Sequence, residues 1–151
     1  MLTDLLTPET ILFADRVDGW RDAVERVAQP LLDDGAISVH YVAAMTDSIA
    51  AGGTYIDLGF GIALAHSRPE NGVERTGLSS LRVGETVLLN DEPAHPIDLF
   101  FCLAATDPQS HLDTMMALAT LLSDETLRAE LLASSTPADT LAVLTKIGQN
   151  A

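Results

Sequence analysis

The segment Ile97–Ala104 limits the fold more than any other part of this chain. Apart from Asp98 it is apolar throughout, with Phe100, Phe101 and Cys102 at its centre. A sheet with one wet face would show alternating polar residues. A short unbroken run reads instead as a central strand buried on both faces. Helical and extended patterns alternate around it, which predicts a layered α/β domain.

Asp18 or Gly19 opens a helix in which Val24, Val27 and Leu31 recur at spacings of three and four. Pro30 disturbs its end and Gly35 stops it. Ser38 caps a second helix carrying Val42, Met45 and Ile49, closed by Gly52 and Gly53. Tyr55–Leu58 and Ile62–Ala65 then read as short strands parted by Gly59 and Gly61. Leu78–Val83 and Val87–Leu89, joined through Gly84, suggest a hairpin. After Asp107-Pro108 the pattern is helical. Ser110 with Asp113 marks a helix start, and Leu112, Met115, Leu118, Leu121 and Leu122 form its buried stripe. Met116, beside Met115, is read with it as core rather than as a docking patch. Ser123-Asp124-Glu125 begins a further helix through Leu127, Leu131 and Leu132, and Thr136-Pro137 opens the last, with Leu141 and Leu144 facing in. No repeat or linker interrupts, so residues 1–151 are expected to form one domain.

Charge narrows the function classes. Twenty-two acidic residues against eight basic ones give a net charge of −14, which repels nucleic acid and anionic lipid. The chain has no P-loop and no dinucleotide glycine fingerprint. No apolar run approaches the roughly 20 residues that cross a bilayer. The start Met1-Leu2-Thr3-Asp4 lacks the basic character of a secretory signal. A single cysteine, Cys102, excludes an internal disulfide; it is read as a small core residue, and the cytoplasm as the compartment.

The run Gly61-Ile62-Ala63-Leu64-Ala65-His66-Ser67-Arg68-Pro69-Glu70-Asn71-Gly72-Val73 carries the chemistry. An apolar strand delivers one histidine to its end and then breaks into a polar turn. Imidazole is both nucleophile and leaving group near neutral pH, so His66 is a candidate for covalent group transfer. Read alone, a histidine so placed is more often an ordinary polar residue at a strand end. His40 at a helix start and His95 between Pro93 and Pro96 are read as surface residues without a role. A zinc site on His66 and His111 lacks a cysteine partner and any ligand spacing, so no metal is expected.

The same run resembles the active-site segment of enzyme IIA of the bacterial sugar phosphotransferase system, in the mannitol–fructose class. Thr76-Gly77-Leu78, Pro96-Ile97-Asp98-Leu99, Leu103-Ala104-Ala105 with Asp107, Ser110-His111-Leu112, and Leu118 with Leu121-Leu122-Ser123-Asp124-Glu125 agree in order and spacing. The likeness spans roughly residues 5–147, and Thr54-Tyr55 with Arg68-Pro69-Glu70 leans toward the ascorbate-specific branch.

The resemblance implies a mixed β-sheet between two helix layers and a phosphocarrier function. His66 would accept a phosphoryl group from the histidine-containing phosphocarrier protein and pass it to the IIB component of a sugar permease. His111, at a helix start whose N–H groups favour anions, would support that group. Read from the residues, Arg68 is a candidate to neutralise phosphoryl charge or contact a partner, and equally a solvated turn arginine; Ser67 is a candidate hydroxyl donor that turn chemistry explains as well, and Arg75 is a weaker candidate. No cofactor is required when the donor is already a phosphoprotein. The partner set leaves room for a homodimer and excludes direct membrane insertion. An alternative within the resemblance is a regulatory protein that signals its phosphorylation state by binding targets. Two positions depart from the family pattern: Ala65 stands where proline usually precedes the histidine, and Ser48-Ile49-Ala50-Ala51 lacks the arginine of mannitol-specific members.

Overall fold

The computed structural model describes residues 2–149, so Met1, Asn150 and Ala151 of the expected 1–151 unit lie outside the described residues. Five strands form one mixed sheet: β1 (Ile11–Ala14), β2 (Asp57–Gly59), β3 (Ile62–Ala65), β4 (Gly77–Leu88) and β5 (Pro96–Ala104). Their spatial order is β1-β4-β5-β3-β2, which puts β5 at the centre as its composition predicts. β5 runs parallel to β3 and antiparallel to β4, and β1 pairs with β4 in parallel.

Among the described residues six α-helices cover the sheet: α1 (Leu2–Leu5), α2 (Trp20–Asp33), α3 (Val39–Ala50), α4 (Pro108–Ser123), α5 (Glu125–Ala133) and α6 (Pro137–Gln149). Strand alternation sorts β5 between two cores. Phe100, Cys102 and Ala104 pack against α2 and α3. Leu99, Phe101 and Leu103 pack against α1, α4, α5 and α6. Phe100 and Phe101 are fully buried on opposite faces, each worth roughly 1.5–3 kcal/mol of apolar burial. The expected sandwich of a mixed sheet between helix layers is the fold observed. Among the described residues no helix is long and apolar enough to cross a membrane.

Four local expectations need correction. First, no hairpin turns at Gly84: Leu78–Val83 and Val87 belong to the single strand β4, which ends at Leu88, while Leu89 opens a 3-10 turn. The register against β5 jumps between Arg82 and Val87. Gly84 serves that irregularity, because a Cβ there would sit 2.7 Å from the carbonyl oxygen of Asp15. A glycine inside a strand pattern marked a close backbone approach rather than a turn. Second, Tyr55 lies in a 3-10 turn, Thr54–Ile56, and β2 begins only at Asp57.

Third, α4 begins at Pro108, not Ser110. Asp107 is its N-cap, accepting from the Ser110 N–H at 2.8 Å and the Ser110 hydroxyl at 3.0 Å. The carboxylate beside the proline outcompetes the serine for the cap. Fourth, the buried stripe of α4 is Thr114, Ala117, Leu118 and Leu121, while Leu112 and Met116 are exposed. The buried face follows Thr114, Ala117, Leu118 and Leu121 at helical spacing, and Leu112, two residues before Thr114, falls on the opposite side. The short edge strand β1 had no sequence expectation at all.

Candidate functional site

β3 and β5 end side by side, with Ala65 paired to Cys102. Strand alternation puts Ala65 on the α2–α3 face and so sends the next side chain, His66, toward α4. There its ring faces that of His111, with centroids 5.4 Å apart and planes tilted by 47°. The exposed ring of Tyr55 meets His66 edge-on at 6.1 Å. The two histidines that lay 45 positions apart in the chain therefore share one cleft of about 620 Å³, together with Ser67, Arg68, Asn71 and Ser48.

His66 is held in a defined tautomer. Its Nδ1 lies 2.8 Å from the carbonyl oxygen of Leu64. A carbonyl only accepts, so Nδ1 carries the proton and donates it. Nε2 is then the unprotonated nitrogen, and it has no hydrogen-bond partner among the described residues. Burial pushes the imidazole pKa below its ordinary value; the bond to Leu64 opposes this, and the neighbouring His111 adds to the depression. The ring is thereby kept neutral and nucleophilic on one nitrogen.

The α4 N-terminus does not offer the free amides expected of it. Asp107 caps it, and the hydrogen bonds from Ser110 and the cap geometry hold this exposed carboxylate well below its usual pKa. His111 occupies the fourth helical position, with its own N–H returned to the Asp107 carbonyl at 3.3 Å. An anion in the cleft would meet the His111 ring rather than the helix amides.

Arg68 is exposed on the rim of the cleft, at the start of the 3-10 turn Pro69–Asn71. Ser67 is half-buried, and its Oγ accepts from the Asn71 amide at 2.9 Å, which leaves the hydroxyl proton free. Arg75 is turned away and pairs with Asp34 at 3.0 Å. His40 is exposed on α3. His95 differs from its surface reading: it is half-buried, with Nδ1 2.9 Å from Asp57 Oδ2, tying the approach to β5 to the edge strand β2. Cys102 is fully buried beside Met45, and burial pushes its thiol up to about 12. Among the described residues no group of three or more histidines, cysteines, aspartates or glutamates converges as a metal site.

Sequence reasoning missed Tyr41 and Asn71. Tyr41, fully buried on α3, donates its hydroxyl to the Leu103 carbonyl at 2.6 Å and accepts from the Ser67 N–H at 2.9 Å. Burial pushes its phenol far above the ordinary range, so it stays a hydroxyl. A tyrosine on an otherwise apolar helix face was the available signal, since a buried phenol requires a partner. For Asn71 the polar turn residues explained themselves too readily as turn chemistry.

Comparison with known proteins identifies the family and the fold. Over 136 residues the chain is 35% identical to the mannitol-specific cryptic phosphotransferase enzyme IIA component of Escherichia coli strain K12, covering 89% of this chain and 90% of the relative. The solution structure of the Escherichia coli mannitol-specific cryptic enzyme IIA superposes with a TM-score of 0.87 at 30% identity, covering 96% and 98% of the two chains. The ascorbate-specific EIIA component of Shigella boydii is 29% identical over 118 residues, 78% of this chain and 77% of that one. The complex of mannitol enzyme IIA with phosphorylated enzyme IIB from Escherichia coli shares the fold, with a TM-score of 0.78 at 23% identity over 93% and 97% of the chains. Residues 4–147 match the family described as phosphoenolpyruvate-dependent sugar phosphotransferase system, EIIA 2. The chain belongs to that family of phosphohistidine-carrying phosphotransferases.

Proposed function

We propose that His66 is the residue that carries the phosphoryl group, on Nε2, and that His111 supports it. The observation that carries this reading is the Nδ1–H bond to the Leu64 carbonyl, which leaves a neutral Nε2 open to the cleft beside a second imidazole. In the transfer, the Nε2 lone pair attacks phosphorus in line as the nitrogen–phosphorus bond of the donor breaks. No proton must leave, because Nε2 carries none and Nδ1 keeps its own. The loose transition state spreads charge over three oxygens. His111, the free proton of Ser67 and the guanidinium of Arg68 are the donors placed to meet that charge.

The donor in this reading is the histidine-containing phosphocarrier protein, and the receiver is a IIB component of a sugar permease. The surplus of carboxylates, 22 against 8 basic residues, favours approach of a basic carrier face. Exposed Tyr55 lies edge-on to His66, and Leu112, the residue after His111, is also exposed; both offer apolar contact to a docking protein. The names of the relatives point to ascorbate or mannitol as the class of sugar served.

The test is phosphorylation of the full chain with enzyme I, the phosphocarrier protein and phosphoenolpyruvate, followed by measurement of acid-labile phosphate. Wild type should take one phosphoryl group, and His66→Ala should take none. Label persisting in His66→Ala would remove His66 from this role. His111→Ala should still accept phosphate, at a reduced rate.

A further inference from the structure

We propose that Tyr41 is a positioning residue for the transfer, its buried hydroxyl setting the separation of β3 and β5 where their ladder ends, and with it the spacing of His66 and His111. The proposal rests on the reading of His66 as phosphoryl acceptor. The parallel ladder between these strands runs through Ala65 and Cys102 and stops there. One residue farther on, direct backbone pairing is replaced by the phenol. Its hydroxyl accepts from the Ser67 N–H at 2.9 Å and donates to the Leu103 carbonyl at 2.6 Å. The Ser67 carbonyl also lies 3.2 Å from the same oxygen.

This bridge sits at the branch point of the site. On one side it grips the residue directly after His66. On the other it grips Leu103, from which Ala104, Ala105 and Thr106 lead into the α4 cap and His111. Inserting an oxygen between two backbone groups keeps them farther apart than a direct hydrogen bond would. The strand ends are thus spread by a fixed amount; His66 directly follows one of them, and His111 sits on α4, which follows the other. The ring of Tyr41 is itself fully buried in the α2–α3 core, so the hydroxyl has little freedom to follow either strand. Asn71 adds to the same hold by donating to Ser67 Oγ.

Tyr41→Phe keeps the packed ring and deletes only the bridge, leaving the Ser67 N–H and Leu103 carbonyl without their partner. Two readouts separate positioning from simple stability: kcat against KM for transfer from the phosphorylated carrier, and the nuclear Overhauser cross-peak between the His66 and His111 ring protons. A shift on the order of 1 Å in reacting groups costs roughly 100-fold. The expected result is a kcat lowered about ten- to a hundred-fold with KM unchanged, and a weakened cross-peak. Ser79→Ala is the matched control, since it removes another buried hydroxyl bond, to the Val27 carbonyl, two strands from His66. It should lose stability and keep kcat.

Wild-type kcat and an unchanged cross-peak in Tyr41→Phe would overturn the proposal, as would a kcat loss no greater than that of Ser79→Ala. Should Tyr41→Phe fail to fold, site-specific 3-fluorotyrosine at position 41 keeps the hydroxyl but makes it a poorer acceptor from Ser67. A smaller kcat loss in the same direction is then expected, and none would refute the role. If His66→Ala still labels, the acceptor assignment fails, whereas the ring cross-peak continues to report on Tyr41 alone.

Discussion

Gly72 is the tightest point of the loop that follows His66, and replacing it by alanine separates two costs that the structure makes additive only in part. Its φ is +127°, a region that side chains with a Cβ avoid. An added Cβ would also lie 2.0 Å from Ser38 Oγ and 3.1 Å from Ser38 Cβ. Holding an alanine in such backbone costs about 1–3 kcal/mol. The overlap adds about 1–3 kcal/mol more, the usual range for overpacking, so Gly72→Ala should lose about 2–6 kcal/mol in total. Ser38→Ala removes the obstructing oxygen. That oxygen is buried without a hydrogen-bond partner, so its loss should be neutral or stabilising by up to about 1–3 kcal/mol.

The double variant should then recover most of the overlap and none of the backbone strain, giving a coupling energy of about 1–2 kcal/mol between the two sites. Urea unfolding of the four chains measures it, with unchanged m-values as the check on two-state behaviour. At this chain length each kcal/mol moves the thermal midpoint by about 2–4 °C. Strict additivity of the two changes would refute the close approach of Gly72 to Ser38, and with it the anchoring of the His66 loop to the start of α3. The hydrogen bond from the Ser38 N–H to the Gly72 carbonyl, at 2.9 Å, belongs to the same anchor.

Because the folded protein holds the His66 pKa below its ordinary value, phosphoryl acceptance should persist to a lower pH than for a free imidazole, whose pKa is about 6.5. The stability consequence has a defined sign: above that unfolded value both states are neutral, and as pH falls through the depressed folded value the unfolded chain binds the proton first, so stability declines. Replacing His66 with glutamine should flatten that decline in unfolding measured between about pH 7 and 5; an unchanged slope would place the titrating group elsewhere. Cys102, fully buried with its thiol pushed up to about 12, should resist alkylation in the native protein and react once urea unfolds it. Rapid native labelling would contradict the burial. Phe101→Ala, deleting a fully buried ring on the α4 side of β5, should lose about 3–5 kcal/mol in the same unfolding assay.

The parts of the fold legible in the sequence are those where burial is continuous or strictly periodic. β5 is apolar apart from Asp98 and lies at the sheet centre; α2 repeats its apolar residues at helical spacing and buries them. Features decided by contacts distant in sequence were hidden. Gly84 looked like a turn because nothing local reveals the Asp15 carbonyl pressing on it. Leu112 and Met116 looked buried because apolar residues at successive steps of three drift around the helix, whereas the face that packs includes the polar Thr114 and the small Ala117. In the site itself, His66 and His111 were legible through the motif that flanks them. Tyr41 was not, because its role is to bridge two strand ends, 26 and 62 positions away from it.

Ala65 shows how the site holds its histidine without the proline that usually precedes it. Proline would restrict φ at one residue and leave the ring's own torsions free. Here the constraint is distributed on both sides of the ring. Ala65 is fully buried and locked to Cys102 in the β3–β5 ladder, which fixes the backbone entering His66. Nδ1–H bonded to the Leu64 carbonyl fixes the ring torsion and the tautomer together. Tyr41 fixes the backbone leaving His66 through the Ser67 N–H. Each bond acts on a different degree of freedom, so the imidazole is oriented by the sheet end as a unit. A small residue at 65 suits that arrangement, because its Cβ points into the α2–α3 core, where a fully buried tyrosine ring already packs.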